Sequence, residues 1–301
     1  EAGFTSHDVV AKLRGICRQK KIGHTGTLDP QATGVLPVCL GNATRACEML
    51  TDRTKTYEAV MLLGMTTDTQ DTTGEVLEDR HHAAMGLEEA AVTEAVLGYK
   101  GDYDQIPPMY SALKVDGKKL YELARAGKEV ERQARQVQIL EIRVDKVVLP
   151  RVWMTVTCSK GTYIRTLCHD IGGKLGCGGC MEHLTRTRVD RFDIKDSLRL
   201  DEIERIRDEG GLDTCILPVE TALEGYAGLK VLPEADAFLY NGNPCFKGQL
   251  DAGDGCLDGL EDGLRFRMYD SKGHFVGVYE YQDSRHWWKP WKMFLAAPEH
   301  T

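Results

Sequence analysis

Residues 23–37, GHTGTLDPQATGVLP, constrain the chain more than any other stretch, because Gly23, Gly26, Pro30, Gly34 and Pro37 forbid a helix or a long strand there. This enforced loop follows directly on an amphipathic helix. In TSHDVVAKLRGICRQKK the apolar Val9, Val10, Leu13, Ile16 and Cys17 recur at helical spacing behind a capping-box-like Thr5 and Asp8. Lys12, Arg14, Arg18, Lys20 and Lys21 lie on or after its outer face. Within the loop, Pro30 restrains Asp29 toward extended backbone, and the flanking glycines let a ligand backbone approach closely. No Gly-Lys-Ser/Thr follows, so this is not a Walker loop, and the glycine spacing is wrong for a dinucleotide fingerprint. Taken alone, an Asp-Pro pair most often caps a turn.

The rest of the chain mixes helices and strands without a βαβ rhythm, which predicts an α+β fold with a mixed, largely antiparallel central sheet. ATRACEML reads as a short helix, and TYEAVMLLG as a half-buried strand with Tyr57, Ala59, Met61 and Leu63 on one face. TTDTQDTTG is a polar turn and LEEAAVTEAVLGY a helix. QVQILEIRVDKVVL and RVWMTVTCSKG are strands parted at Pro150, and TYIRTLCHDIGGKLG is a helix presenting Ile164, Leu167, Cys168 and Ile171 on its apolar face. Near residue 225 the texture shifts to Gly, Asp and short β-like runs such as RFRMY and HFVGVYEY. The expected domains are therefore 1–225 and a small β-rich 226–301.

A net charge of −8 over 301 residues at first argues against a polyanionic partner, but the charge is unevenly spread. Residues 1–191 hold 26 Lys and Arg against 25 Asp and Glu, and residues 192–301 hold 12 against 21. The segment Ser111–Arg135 carries seven basic and four acidic residues, with Tyr121 inside it and Tyr110 just before. Such a segment can follow a phosphate backbone, although a solvated helix face is the commoner meaning of a charge run. The ten cysteines are too scattered for a disulfide scaffold, no apolar run reaches the ~18 residues of a membrane span, and no signal pattern opens the chain. The reading is a soluble, reduced, cytoplasmic protein, trimmed at its start because residue 1 is Glu. Cys168, Cys177, Cys180 and His183 formally make a Cys₃His set, but Cys168 belongs to an apolar helix face and a second CxxC is missing. No metal is expected.

The longer string GHTGTLDPQATGVLPVCLGNATR resembles the signature of the TruB family of tRNA pseudouridine synthases. The resemblance continues in the family's order through KTYEAVMLLGMTTDTQDTTGEV, IPPMYSALKVDGKKLYELARAGKEVERQAR and SKGTYIRTLCHDIGGKLGCGGCMEHLTRTRV, covering nearly all of residues 3–195. Pro107–Arg135 resembles the bacterial insertion, about 104–136, that grips the T arm of tRNA. The tail with LYNGNPCFKGQL is similar, more weakly, to the family's PUA-like RNA-binding domain. The resemblance departs from the pattern at Thr185, where the family carries an arginine directly after its pocket leucine; here Arg186 comes one position later.

The resemblance implies isomerisation of the T-loop uridine, conventional tRNA position 55, by cleavage at N1, rotation and rejoining through C5, with assistance to tRNA folding. It implies no cofactor, because nothing is oxidised and no group is donated. Asp29 matches the catalytic carboxylate, acting as nucleophile or base, and Arg165 in Gly-Thr-Tyr-Ile-Arg matches the arginine that keeps it ionised. Tyr57 would stack on the extruded uracil and take the C5 proton. Substrate contacts would fall to His24, which fills the space the flipped base leaves, to Leu184 lining the base pocket, and to Asp71, Tyr163, Arg45, Lys118 and Lys119. The partner implied is the tRNA T stem-loop, bound by a monomer. Two rival functions differ in what they need: a non-catalytic RNA-binding tRNA chaperone has no use for Asp29, and a phosphoryl-transferring Asp enzyme wants a second carboxylate and magnesium, which GTLDPQATG does not supply.

Overall fold

The computed structural model describes residues 1–115, 117–251, 257 and 259–295; Asp116 and Cys256 lie outside them. Contacts divide the chain into two compact units. One comprises Glu1–Ser6, Thr27–Pro37 and Thr51–Ser197, the other His7–Gly26, Val38–Leu50 and Leu198–Thr301.

Among its described residues the first unit builds a seven-stranded sheet from β1 (Thr33–Gly34), β2 (Lys55–Leu63), β3 (Gly101–Gln105), β4 (Arg135–Val148), β5 (Arg151–Cys158), β6 (Gly179–Val189) and β7 (Phe192–Asp193). The order is β7–β6–β2–β5–β4–β3, antiparallel throughout, with β1 added in parallel to β6. Alternation along β2 buries Lys55, Tyr57, Ala59, Met61 and Leu63, the apolar members being those the sequence predicts. They share one core with Val92 and Val96 of helix α1 (Glu89–Leu97) and with Ile164, Leu167, Cys168 and Ile171 of helix α2 (Ile164–Lys174). Met61 and Ile171 are fully excluded from water, each burial contributing about 2 kcal/mol. Helix α2 meets β6 at Gly172, where a Cβ would stand 2.2 Å from the backbone nitrogen of Gly179. Any side chain there would push the helix off the sheet.

The second unit contains a mixed six-stranded sheet among its described residues, in the order Cys245–Phe246, Trp287–Met293, Phe275–Gln282, Arg265–Tyr269, Ala227–Val231 and Leu250–Asp251. Trp288, Tyr279, Met268 and Leu239 fill its core. The N-terminal segments of this unit pack on the same scaffold: Cys39, Ala46, Met49 and Leu50 cluster with Leu223, Val278 and Phe294. Asn42 donates to the Leu295 carbonyl at 2.7 Å, and Lys292 pairs with Glu48 at 3.0 Å. In the helix Ser6–Ile16, Val10, Leu13 and Ile16 are buried, whereas Val9 and the following Cys17 are only half-buried. No helix among the described residues is long and apolar enough to cross a membrane.

Candidate active site

Asp29 sits at the turn that Pro30 enforces. Its carbonyl accepts from the Ala32 amide at 2.9 Å, the Pro30 carbonyl accepts from Gly3, and the Leu28 amide donates to the Ser6 hydroxyl at 3.0 Å. The side chain, about one-third exposed, meets Arg165 from the first turn of α2. Arg165 donates through Nε to Oδ2 at 2.9 Å and through Nη2 to Oδ1 at 3.2 Å, the two-pronged geometry of a guanidinium on a carboxylate. The guanidinium is itself held, since Nη1 donates to the Thr69 carbonyl at 2.8 Å and Nη2 to the Tyr110 carbonyl at 2.9 Å. Tyr110, just before the basic segment Ser111–Arg135, thereby ties that segment to this centre.

Asp71 faces the same guanidinium, its Oδ2 lying 3.8 Å from Nε. Its other oxygen accepts from the Thr69 hydroxyl, the Thr73 amide and the Thr73 hydroxyl at 2.8, 3.0 and 2.6 Å. The polar turn thus folds its acid inward. One buried cation organises two carboxylates, of which only Asp29 keeps substantial access to solvent.

Tyr57 on β2 stands opposite Arg186 on β6. Burial pushes its phenol up to about 12; hydrogen bonding and charge from Arg186 oppose the shift, and the charge of Asp29 adds to it. Leu184 lies two residues before Arg186 on the same buried face. Tyr163 precedes α2, its amide donating to Gln105 Oε1 at 2.8 Å while Gln105 Nε2 donates back at 3.0 Å; burial raises its phenol as well. Lys118 and Lys119 lie on a hairpin within the basic segment Ser111–Arg135, paired with Val115 and Lys114. Lys119 donates to the Tyr121 hydroxyl at 3.2 Å and lies over that ring.

His24 and Arg45 belong to the second unit. His24 ends the strand Ile22–His24, and its Nδ1 accepts from the Gly26 amide at 3.4 Å. Arg45 lies in a 3₁₀ turn and donates to the Met293 carbonyl at 2.6 Å. Both line a groove with Arg14, Lys20, Lys21 and Lys292. The basic residues of N-terminal and C-terminal segments therefore meet on one side of an otherwise acidic unit.

The sequence reading missed Arg186 as a member of this centre. It is 1% exposed, with Nε donating to the Val35 carbonyl at 2.8 Å and Nη1 to the Thr27 carbonyl at 3.5 Å. One side chain thus grips the Asp29 loop on both flanks and reaches Tyr57. Gly34 permits the approach: at φ +113° it passes so close to β6 that a Cβ would lie 2.1 Å from the Arg186 carbonyl oxygen. Thr185, where the family pattern has arginine, bonds the Thr33 hydroxyl at 2.9 Å. A charge in register with Leu184 on a buried face was the available signal. Arg186→Met is expected to destabilise the first unit by about 3 kcal/mol, because it removes a buried cation and leaves carbonyls unpaired. Thermal unfolding checks this, and a loss below ~0.5 kcal/mol would contradict the clamp.

Among the described residues no group of three or more His, Cys, Asp and Glu side chains is placed to hold a metal ion. Cys168 and Cys180 are fully buried, and burial pushes both thiols up.

The architecture recurs in solved structures. The chain superimposes with a TM-score of 0.73 on a chain of "Structure of H/ACA RNP bound to a substrate RNA containing 2'-deoxyuridine", 23% identical, covering 98% of this chain and 83% of that one. A chain of "Crystal Structure of a Cbf5-Nop10-Gar1 Complex" gives a TM-score of 0.71 at 26% identity, with the same coverages of 98% and 83%. Residues 14–164 match the family described as "TruB family pseudouridylate synthase (N terminal domain)", and residues 165–224 match "tRNA pseudouridylate synthase B C-terminal domain". The chain belongs to the TruB family of pseudouridylate synthases. It is similar to proteins named tRNA pseudouridine synthase B from Lachnoclostridium phytofermentans, 50% identical over 98% of this chain and 97% of the relative, and from Geobacter sulfurreducens, 42% identical over 88% and 86%.

Proposed function

We propose that this protein converts the T-loop uridine of tRNA, position 55, to pseudouridine, with Asp29 as the carboxylate on which the reaction depends. The observation that carries the reading is the Asp29 carboxylate, solvent-accessible on one side and gripped in two places by a buried Arg165 on the other. Such a pairing holds the carboxylate oriented, as a nucleophile or base must be. In the reaction the N1–C1′ bond breaks, the uracil turns, the C5–C1′ bond forms, and the proton lost from C5 is balanced by one gained at N1. Atoms and oxidation state are conserved, so neither a redox cofactor nor a phosphoryl donor has a role.

The remaining residues take parts their surroundings suit. Tyr57 and Leu184 receive the extruded base, a displacement that costs a few kcal/mol of lost stacking. Ionising Tyr57 at pH 7, against a pKa of about 12, costs about 7 kcal/mol. Its contribution is therefore its ring face and a neutral hydroxyl, and removal of the C5 proton falls to another group. Asp71 and Tyr163 fix Arg165 and the start of α2. His24 fills the space the base vacates, while Arg45, Lys118 and Lys119 meet phosphates of the T stem-loop. Residues 226–301 act as a PUA-like RNA-binding domain, and the protein works as a cytoplasmic monomer that also assists tRNA folding.

Mapping pseudouridine by carbodiimide adducts and reverse transcription on an unmodified tRNA transcript tests the reading. One stop at the T-loop uridine is expected; no stop, or stops only elsewhere, would refute it. Replacing Lys118 and Lys119 together by alanine is expected to weaken tRNA binding about tenfold at moderate salt. The slope of log affinity against log salt should fall by about 1 to 2, because released counterions scale with phosphates neutralised. An unchanged slope removes the hairpin from the interface.

A further inference from the structure

The basic groove of the second unit carries chemistry that phosphate contacts leave unused. Cys47, half-buried, lines it beside Arg45 and Glu48, and Cys39 lies behind, buried in the same apolar cluster as Ala46 and Met49. Cys39 is opposite Gly23 in the two-stranded ladder, and a Cβ on Gly23 would stand 3.0 Å from the Cys47 sulfur. The Cys47 sulfur is thus pressed against the pair of residues that includes Cys39. The two neighbouring thiols influence each other: Cys39 brings the Cys47 thiol down to about 7 against burial and the Glu48 charge, while Cys39 is raised first by Cys47 and then by burial. The reactive, reachable sulfur therefore has a protonated partner directly behind it.

Cys158, Cys168, Cys180 and Cys245 are fully buried with thiols pushed up by burial, and burial likewise raises Cys177 and Cys17. A volume of about 730 Å³ admits reagents far larger than a peroxide to the Cys47 wall.

We propose that Cys39 and Cys47 form an oxidisable dithiol, with Cys47 the attacking and Cys39 the resolving sulfur, which a hydroperoxide converts to a disulfide in the wall of the groove. The Cys47 sulfur attacks one peroxide oxygen, the O–O bond breaks, and the departing oxygen takes up a proton and leaves as water, or as an alcohol from an organic peroxide. The Cys39 sulfur then attacks the Cys47 sulfenic acid, the S–S bond forms, and the sulfenyl oxygen leaves as water with the Cys39 proton. Two electrons pass from the two sulfurs to the peroxide, and no further reductant enters.

Peptide mapping of the full-length protein tests this. Trypsin cleaves after Lys21, Arg45 and Arg53, which places Cys39 alone in peptide 22–45 and Cys47 alone in 46–53. Treatment with stoichiometric hydrogen peroxide is expected to remove two of the ten alkylatable thiols, to link these two peptides, and to be reversed by dithiothreitol. Cys47→Ser should abolish the loss at both positions, while Cys39→Ser should leave Cys47 as a sulfenic acid trapped by dimedone. A linkage between other cysteines, conversion of Cys47 to sulfinic acid with Cys39 still free, or no loss of thiols in the wild type would overturn the proposal. The wild-type map stands even where a serine variant folds poorly.

Discussion

Asp29→Asn is expected to lower the rate of uridine isomerisation on the order of 10⁴-fold, equivalent to about 5.5 kcal/mol of barrier, while tRNA affinity changes less than about threefold. The amide keeps the shape of the side chain, so the turn at Pro30 and its bond from Ala32 persist. Asparagine Oδ1 still accepts one of the two Arg165 bonds, and the guanidinium keeps the Thr69 and Tyr110 carbonyls. What disappears is the negative charge and the lone pairs that attack or remove a proton. A split between intact binding and lost turnover separates a chemical role from a structural one. Equal losses in both would show that Asp29 serves mainly to hold the loop.

Arg165→Met is expected to lower turnover on the order of 10³-fold and stability by about 2 kcal/mol. Its guanidinium donates to the Asp29 carboxylate and to two backbone carbonyls and lies 3.8 Å from the Asp71 carboxylate. Without it two acids lose their shared cation, and the Asp29 carboxylate loses the two-pronged contact that orients it. Arg165→Lys retains charge without the fork and should recover part of the rate. Thermal unfolding and single-turnover rates on both variants check these effects, and an undiminished rate in the methionine variant would show that Arg165 does not position Asp29 for the reaction.

The parts of this molecule that follow from local physics were legible in the sequence. Alternation announced the strand carrying Tyr57 and its apolar face, helical spacing announced the buried face of Ile164, Leu167, Cys168 and Ile171, and Gly and Pro announced the loop of Asp29. What depended on distant pairing was not legible from local rules. Asp29 and Arg165 are brought together across the chain, and only the family resemblance linked them in advance. Arg186 stood one position past the family's arginine, with no place assigned to it; pairing of β1 with β6 turns it inward to the Thr27 and Val35 carbonyls. Trp287–Met293 lies between two other strands despite Pro290, which donates no ladder bond, and a register shift falls beside the proline. Charge shows the same limit. The acidic balance of residues 192–301 concealed that Lys292 joins Arg14, Lys20, Lys21 and Arg45 in one groove, because a count along the chain carries no position in space.

The most direct measurement is tritium release from C5-labelled uridine in a T-arm transcript, with wild type and Asp29→Asn compared at matched RNA occupancy. The wild type should release one equivalent of tritium from the T-loop position, and the variant essentially none over the same time. Absence of release by the wild type, or undiminished release by the variant, would contradict the claim that Asp29 drives this isomerisation.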